Sequence, residues 1–396
     1  MTMTKFIINL NVLNHPLTGI GYYTLNIVKE LLNRDVELVG VKDSGILTKE
    51  QVFSLISNLS SLERKDGSYS PTKKNLKKTI ISLLRRIPKI YYVRHKIKSL
   101  LLSSKLNILA EEGYVYFEPC FVPLDYSGKI ITTVHDLSFI QHPEFHPEER
   151  VKHLTGELPR TVKLSNAILV DSDAMAVELK KLYPMYSEKI ITLYPGVDAS
   201  FKQYETCSDV LSSFGLKNKS FILSVCTLEP RKNLLRLVEA YKLLPESIKE
   251  EYPLVLVGDQ GWKNSELFNS TQELFDKKQI IMTNYISDDY VKEIYSSAAI
   301  FAYPSLYEGF GLPIVEAMAS GTAVITSNYG AMAEVAGDSA ILVNPYSTEE
   351  LKNAIISLLT DVQLRERFIE MGLNRAKKFN WNDAVDELIS TAHRIS

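Results

Sequence analysis

Residues 304–324 read PSLYEGFGLPIVEAMASGTAV. Glu308 and Glu316 stand eight positions apart, with Gly309, Gly311 and Pro313 between them. Pro313 suits the first turn of a helix, where its missing N–H costs nothing. The amides of Gly309, Phe310, Gly311 and Leu312 then lie at a helix N-terminus, a ready cradle for a phosphate. Glycines let a ligand approach the backbone closely. Carboxylates accept hydrogen bonds from vicinal hydroxyls, as an acid does for ribose in dinucleotide folds. Two acids in isolation would read as a turn residue and a solvated helix residue. The glycine frame favours a binding role.

A second stretch, SVCTLEPRKNLLRLVEAY at residues 224–241, carries Arg231 and Lys232 between a strand ending near Cys226 and a helix starting near Asn233. Two cations there can neutralise a diphosphate and stabilise it as a leaving group. A solvated surface pair is the alternative. In TTVHDLSF, His135 and Asp136 follow a strand. His135 could orient a sugar hydroxyl or contact an acceptor, or it could be a satisfied loop histidine. HPLTGIGYYTLN puts Gly19 and Gly21 between the first strand and the first helix, but position 24 is Thr, so the GxGxxG dinucleotide fingerprint fails. A ligand-facing loop and a simple turn both remain open there. Two metal-like patterns are set aside. Asp171-Ser172-Asp173 joins a strand to a helix, where Asp173 reads as an N-cap. His142 and His146 are separated by Pro143 and followed by Pro147, which breaks the helix a zinc site of that spacing needs.

These residues need strands that end at one edge and helices that start there. In the second half, apolar runs at 221–226, 253–257, 280–282, 300–303, 323–326 and 340–343 alternate with helix-period segments at 233–244, 288–297, 313–319, 331–336 and 348–359. Alternating βα units imply a parallel sheet covered on both faces, with ligands beyond the carboxyl ends of the strands. In the first half, strands are expected at 5–11, 36–41, 114–117, 129–134 and 167–170, and helices at 22–32 and 173–182. A boundary falls at LYPGVD, residues 193–198. The α/β chain therefore reads as two doubly wound Rossmann-like domains, 1–194 and 195–379, facing across a cleft.

Composition agrees with two ordinary globular domains: 396 residues, 45% apolar, 23% charged, and a net charge of −2 that gives no general pull toward nucleic acid. Three scattered cysteines support neither a disulfide framework nor a zinc knuckle and fit a reducing cytosol. The first residues alternate like a strand rather than a signal peptide, and no apolar run is long enough to span a membrane. One segment departs from this balance. From Gly67 to Ala110 there is no Asp or Glu, yet there are eleven Lys or Arg. Within 73–101, Leu76, Ile80, Leu83, Leu84, Ile87 and Tyr91 share one helical face, opposite Lys74, Lys78, Arg85, Arg86 and Lys89. That stripe either joins a core or lies on anionic lipid.

With these stretches together, the chain resembles glycosyltransferase family 4, retaining nucleotide-sugar transferases of GT-B fold. The pattern E-x7-E formed by Glu308 and Glu316 carries the resemblance, with TGIGYYTLNIVKEL, VHDLS, TLEPRKN, LVLVGDQGW and EVAGDSAILVNP. The resemblance implies that Glu308 contacts donor-sugar hydroxyls, Glu316 holds the ribose, and Arg231 and Lys232 grip the diphosphate. It implies that backbone around Gly309–Leu312 contacts sugar and phosphate, and that His135 lies near the reacting carbon and the acceptor. Gly19 and Gly21 would approach the phosphates, Tyr285 and Ile286 would meet the base, and a helix at 380–396 would pack back on the first, acceptor-side domain. No metal and no cofactor are implied. Many members have Gly-Arg where this chain has Cys226-Thr227, so the diphosphate has one cation fewer. The TLEPRKN variant is similar to bacterial mannosyl- and rhamnosyltransferases of surface polysaccharide synthesis. The expectation is transfer of a hexose, mannose from GDP-mannose, to a glycan or lipid-linked acceptor at the cytoplasmic face. Rhamnosyl and glucosyl donors are alternatives. A nicotinamide-dependent oxidoreductase and a non-catalytic nucleotide-sugar-binding protein are the rival classes.

Overall fold

The structure is a computed structural model. It describes residues 3–14, 17–63, 90–204, 209–259, 261, 265–284 and 286–396. The chain divides into two units, Met1–Pro195 with Trp381–Ser396, and Gly196–Asn380.

The first unit is built on a sheet of β1 (Lys5–Asn9), β2 (Glu37–Lys42), β3 (Gly45–Leu47), β4 (Val115–Glu118), β5 (Lys129–Val134), β6 (Ala167–Val170) and β7 (Ile190–Thr192). Among the described residues the order is β3-β2-β1-β4-β5-β6-β7. All neighbours are parallel except β2 and β3. The strands are apolar runs because both faces are covered. Phe6 and Ile8 enter one core with Val28 and Leu31 of the Gly19–Leu32 helix and Leu388 of the Trp381–Ile395 helix. Ile7, between them, enters a second core with Leu102 and Leu106 of the Ile90–Glu111 helix. The Trp381–Ile395 helix belongs to this unit because Trp381, Ala384, Val385, Leu388 and Ala392 are all buried in it.

The second unit carries β8 (Ile222–Val225), β9 (Leu254–Val257), β10 (Ile280–Asn284), β11 (Ile300–Tyr303), β12 (Ala323–Ser327) and β13 (Ile341–Val343). They pair in parallel in the order β10-β9-β8-β11-β12-β13 among the described residues. Leu254, Leu256, Ile300 and Ile325 pack against Leu237 and Tyr241 of the Leu234–Lys242 helix and Leu351, Ile355 and Leu358 of the Thr348–Thr360 helix. In each sheet the first strand has later strands on both sides, so the order reverses between β1 and β4 and between β8 and β11. Open α/β sheets bind ligands at such reversals, beyond the carboxyl ends of the strands.

Several local expectations need correction. The sequence places Gly19 and Gly21 in a loop, but both lie in the first turn of the Gly19–Leu32 helix. The cap of the Asp173–Leu182 helix is Ser172, whose extended backbone lets its hydroxyl accept from the Met175 amide; Asp173 is already helical and accepts from the Thr192 hydroxyl at 2.6 Å. Of the expected amphipathic segment 73–101, residues 73–89 lie outside the described residues and the rest falls in the Ile90–Glu111 helix.

Candidate active site

The site of the second unit grows from two loops on either side of the sheet reversal. After β8 the chain makes a short 3-10 turn, Pro230–Lys232, which ends at Asn233 in the left-handed region with φ 58°. Asparagine tolerates that conformation better than most residues. The Asn233 amide donates to the Pro304 carbonyl at 3.0 Å and the Pro345 carbonyl at 2.8 Å. The loop after β11 is tied back by the Leu306 amide, which donates to the Arg231 carbonyl at 2.8 Å. Gly258 holds the other flank: at φ 144° it lies so close that a Cβ would collide with the Cys226 carbonyl.

Within this frame Glu308 is the centre. One carboxylate oxygen accepts from Lys232 Nζ at 2.6 Å, the Tyr303 hydroxyl at 2.8 Å and the Ser305 hydroxyl at 2.8 Å. The other accepts from Arg231 Nη1 at 2.7 Å. Arg231 reaches Glu229 through Nε at 3.2 Å and Nη2 at 2.9 Å, and the Tyr307 carbonyl through Nη1 at 2.8 Å. The side chains of Arg231, Lys232 and Glu308 are only 10–12% exposed. Burial alone would push the Glu308 carboxyl up, but Arg231 and Lys232 outweigh it and hold it at about 2. The group is two cations and two carboxylates, Arg231 and Lys232 with Glu229 and Glu308, so its charges cancel.

Glu308 leads directly to Gly311, whose φ of 103° starts the eight-residue helix Leu312–Ala319 with Pro313 in its first turn. Glu316, one turn further, accepts from the Tyr295 hydroxyl at 2.9 Å. The Phe310 side chain is buried edge-on against Phe379, so only its backbone can meet a ligand. Ile286 is half-buried, and Tyr285 lies outside the described residues. The second unit thus gathers Arg231, Lys232, Glu308, the Gly309–Leu312 backbone and Glu316 around one helix start. Glu229, Asn233, Tyr295, Tyr303 and Ser305 were not legible as parts of it, although Glu229 stands two residues before Arg231.

His135 belongs to the first unit, just past β5. The sequence allows its ring to meet a sugar or acceptor hydroxyl. The structure uses both ring nitrogens: Nδ1 lies 2.7 Å from Asp171 and Nε2 donates to the Pro119 carbonyl at 2.7 Å. The Pro119 carbonyl can only accept, so Nε2 carries an N–H, and one proton is shared between Nδ1 and Asp171. Burial opposes charge on both groups, lowering His135 and raising Asp171, while their mutual attraction favours the charged pair; the ring titrates above its ordinary value and so does the Asp171 carboxyl. Tyr23 packs edge-on against the ring with centroids 4.7 Å apart. His135 is therefore placed to hold its neighbours. Asp171 is its partner, and among the described residues no group of three or more His, Cys, Asp or Glu side chains comes together.

Residues 17–201 match the family model Glycosyltransferase Family 4, and residues 212–375 match the model Glycosyl transferases group 1. The chain is 30% identical over 392 residues to an O-antigen chain mannosyltransferase B of Escherichia coli, covering 98% of each chain. Its fold matches the crystal structure of WaaG, a glycosyltransferase involved in lipopolysaccharide biosynthesis, with a TM-score of 0.68, 17% identity and full coverage of both chains. It also matches Anabaena Alr3699/HepE in complex with UDP-glucose, with a TM-score of 0.66, 16% identity and coverage of 98% and 99%. The two sheets are those of a GT-B fold. With a relative that matches end to end and family models that between them reach from residue 17 to residue 375, this chain is a member of glycosyltransferase family 4.

Proposed function

We propose that the protein transfers mannose from GDP-mannose, with retention of configuration, to a glycan or lipid-linked acceptor in O-antigen synthesis. The observation that carries the reading is the Glu308 carboxylate fixed by Arg231 and Lys232 beside the Leu312 helix start. Its donor class draws support from the Escherichia coli relative, an O-antigen chain mannosyltransferase. In the proposed reaction the bond between the sugar and the diphosphate breaks, and a bond from an acceptor hydroxyl oxygen forms on the same face. The acceptor proton leaves with the nucleoside diphosphate. Arg231, Lys232 and the helix end meet the growing phosphate charge in place of a metal ion. Glu308 takes the donor-sugar hydroxyls and Glu316 the ribose. A screen of GDP-, UDP- and dTDP-sugars, scored by release of nucleoside diphosphate, tests the donor. GDP-mannose is the expected substrate, and turnover of another donor alone would refute it. A product of inverted configuration would overturn retention.

The cytoplasmic face of a membrane is the proposed place of work. No helix among the described residues is long and apolar enough to cross a membrane. On the Ile90–Glu111 helix, Ile97, Leu100, Leu101 and Ile108 are each more than half exposed. They lie within the stretch from Gly67 to Ala110 that carries eleven Lys or Arg and no acid. Apolar and basic groups together suit an anionic lipid surface. Co-sedimentation with anionic liposomes should fall when Arg85, Arg86 and Lys89 are replaced by Glu; unchanged binding would refute this docking mode.

A further inference from the structure

At the reversal between β1 and β4 the first unit holds a strained turn. Phe121 sits at φ 55°, a region a bulky side chain rarely adopts. Such strain persists only where surrounding contacts over-determine it. Here they do. The Phe121 amide donates to the Thr133 carbonyl at 3.0 Å, and its carbonyl accepts from the Thr161 hydroxyl at 2.9 Å. The Pro119 carbonyl accepts from His135 Nε2 at 2.7 Å. The Cys120 amide donates to Glu118 at 3.1 Å.

Glu118 is the last residue of β4 and is 2% exposed. Besides Cys120 it accepts from Asn9 Nδ2 at 2.6 Å, across from the end of β1, and from the Tyr116 hydroxyl at 2.7 Å. The bonds therefore run along the carboxyl edge from Asn9 on β1, through Glu118 and the turn after β4, to His135 after β5 and Asp171 after β6. No part of the donor chemistry proposed above uses this row. It lies where an open α/β sheet binds its ligand.

We propose that the Pro119–Phe121 turn positions the acceptor for transfer, and that Glu118 is the positioning residue that sets the turn, with His135 and Asp171 bracing its other side. This rests on the glycosyltransferase reading above. All three groups bonded to Glu118 are donors, so its carboxylate form fits the turn. A proton on it would face donors. Burial raises this carboxyl to about 7, against the pull of the Asn9, Tyr116 and Cys120 bonds. The titratable and charged groups around it are Tyr116 on its own strand, Cys120 in the turn and Lys98 of the Ile90–Glu111 helix. A proton taken up by this raised carboxyl would disturb the three donor contacts that set the turn.

The test is steady-state kinetics with GDP-mannose and an octyl α-mannoside acceptor between pH 5.5 and 8.5, on the full chain. The wild-type arm tests the underlying reading by itself, through GDP release and mannosyl transfer. In the wild type, the KM for the mannoside should rise as pH falls through about 7, while the KM for GDP-mannose holds. Glu118→Gln places an amide N–H against the same donors, so its mannoside KM should be raised about tenfold at pH 8 and be flat with pH. Tyr116→Phe removes one donor and should move the wild-type step to higher pH. Wild-type mannoside KM in Glu118→Gln at pH 8, or a step unmoved by Tyr116→Phe, would overturn the proposal. Parallel changes in both KM values would do the same.

Discussion

Glu118 and Glu308 occupy comparable places in the two units. Each lies at or just after the strand that pairs with the first strand of its sheet, at the point where the order reverses. Glu118 is buried, the Glu308 side chain is only 10% exposed, and each accepts several hydrogen bonds. Their acidities nevertheless move in opposite directions, to about 7 for Glu118 and about 2 for Glu308. The difference is the sign of the company. Glu118 is bonded to neutral donors, Asn9, Tyr116 and a backbone amide, which do not offset desolvation. Glu308 is bonded to Arg231 and Lys232, which do. The lesson is that one fold, used twice, makes a carboxyl that titrates near neutrality in one unit and a permanently charged one in the other.

The comparison can be broken at its strongest point first. Replacing Glu308 by Ala leaves Arg231 and Lys232 without their shared carboxylate, and transfer should fall by roughly two to three orders of magnitude. Transfer assays at saturating donor check this. Arg231→Lys keeps the charge but loses the fork to Glu229, and should lose activity as well.

The pH dependence of stability follows next. Glu308 has a folded value below its ordinary 4.5, so its stabilisation is present above pH 4.5 and is lost as pH falls through about 2. Glu118 has a folded value above 4.5, so its contribution is fully present below pH 4.5 and is lost as pH rises through about 7. Each shift spans 2.5 units, from 4.5 to 2 and from 4.5 to 7, or about 3 kcal/mol of opposite sign. Thermal melts should therefore show a smaller decline in stability from pH 5 to pH 8 in Glu118→Gln than in the wild type. Segment-resolved hydrogen exchange should place that relief in the first unit.

Smaller effects sharpen the picture. Tyr303→Phe removes one of four donors to Glu308 and should cost roughly 0.5–1.5 kcal/mol in transfer, seen in kcat/KM for the donor. Tyr295→Phe releases Glu316, and its effect should fall on donor KM at the low end of that range.

Much of this was readable before the fold was known, for physical reasons. Strands covered on both faces are unbroken apolar runs, and those at Lys129–Val134, Ala167–Val170 and Ile300–Tyr303 have the limits their sequences suggest. The glycine-framed acids and the Arg231-Lys232 pair are local patterns, and a local pattern survives in a single sequence. What stayed hidden depends on tertiary context. Gly45–Leu47 and Ile190–Thr192 are three-residue edge strands, too short to show a period. The Glu148–Leu164 helix contains Pro159, which argues against it locally. Glu118 carries no motif, and its partner Asn9 is 109 residues away. Asp171 gives no local sign of its partner His135, 36 residues earlier.

The central claim is that Lys232 and its ion-pair partners serve a nucleotide sugar. Release of GDP from GDP-mannose, measured side by side for the wild type and Lys232→Ala, tests it most directly. The account predicts steady release by the wild type and a drop of about a hundredfold or more in the variant. Full-rate release by Lys232→Ala, or no release by the wild type, would contradict it.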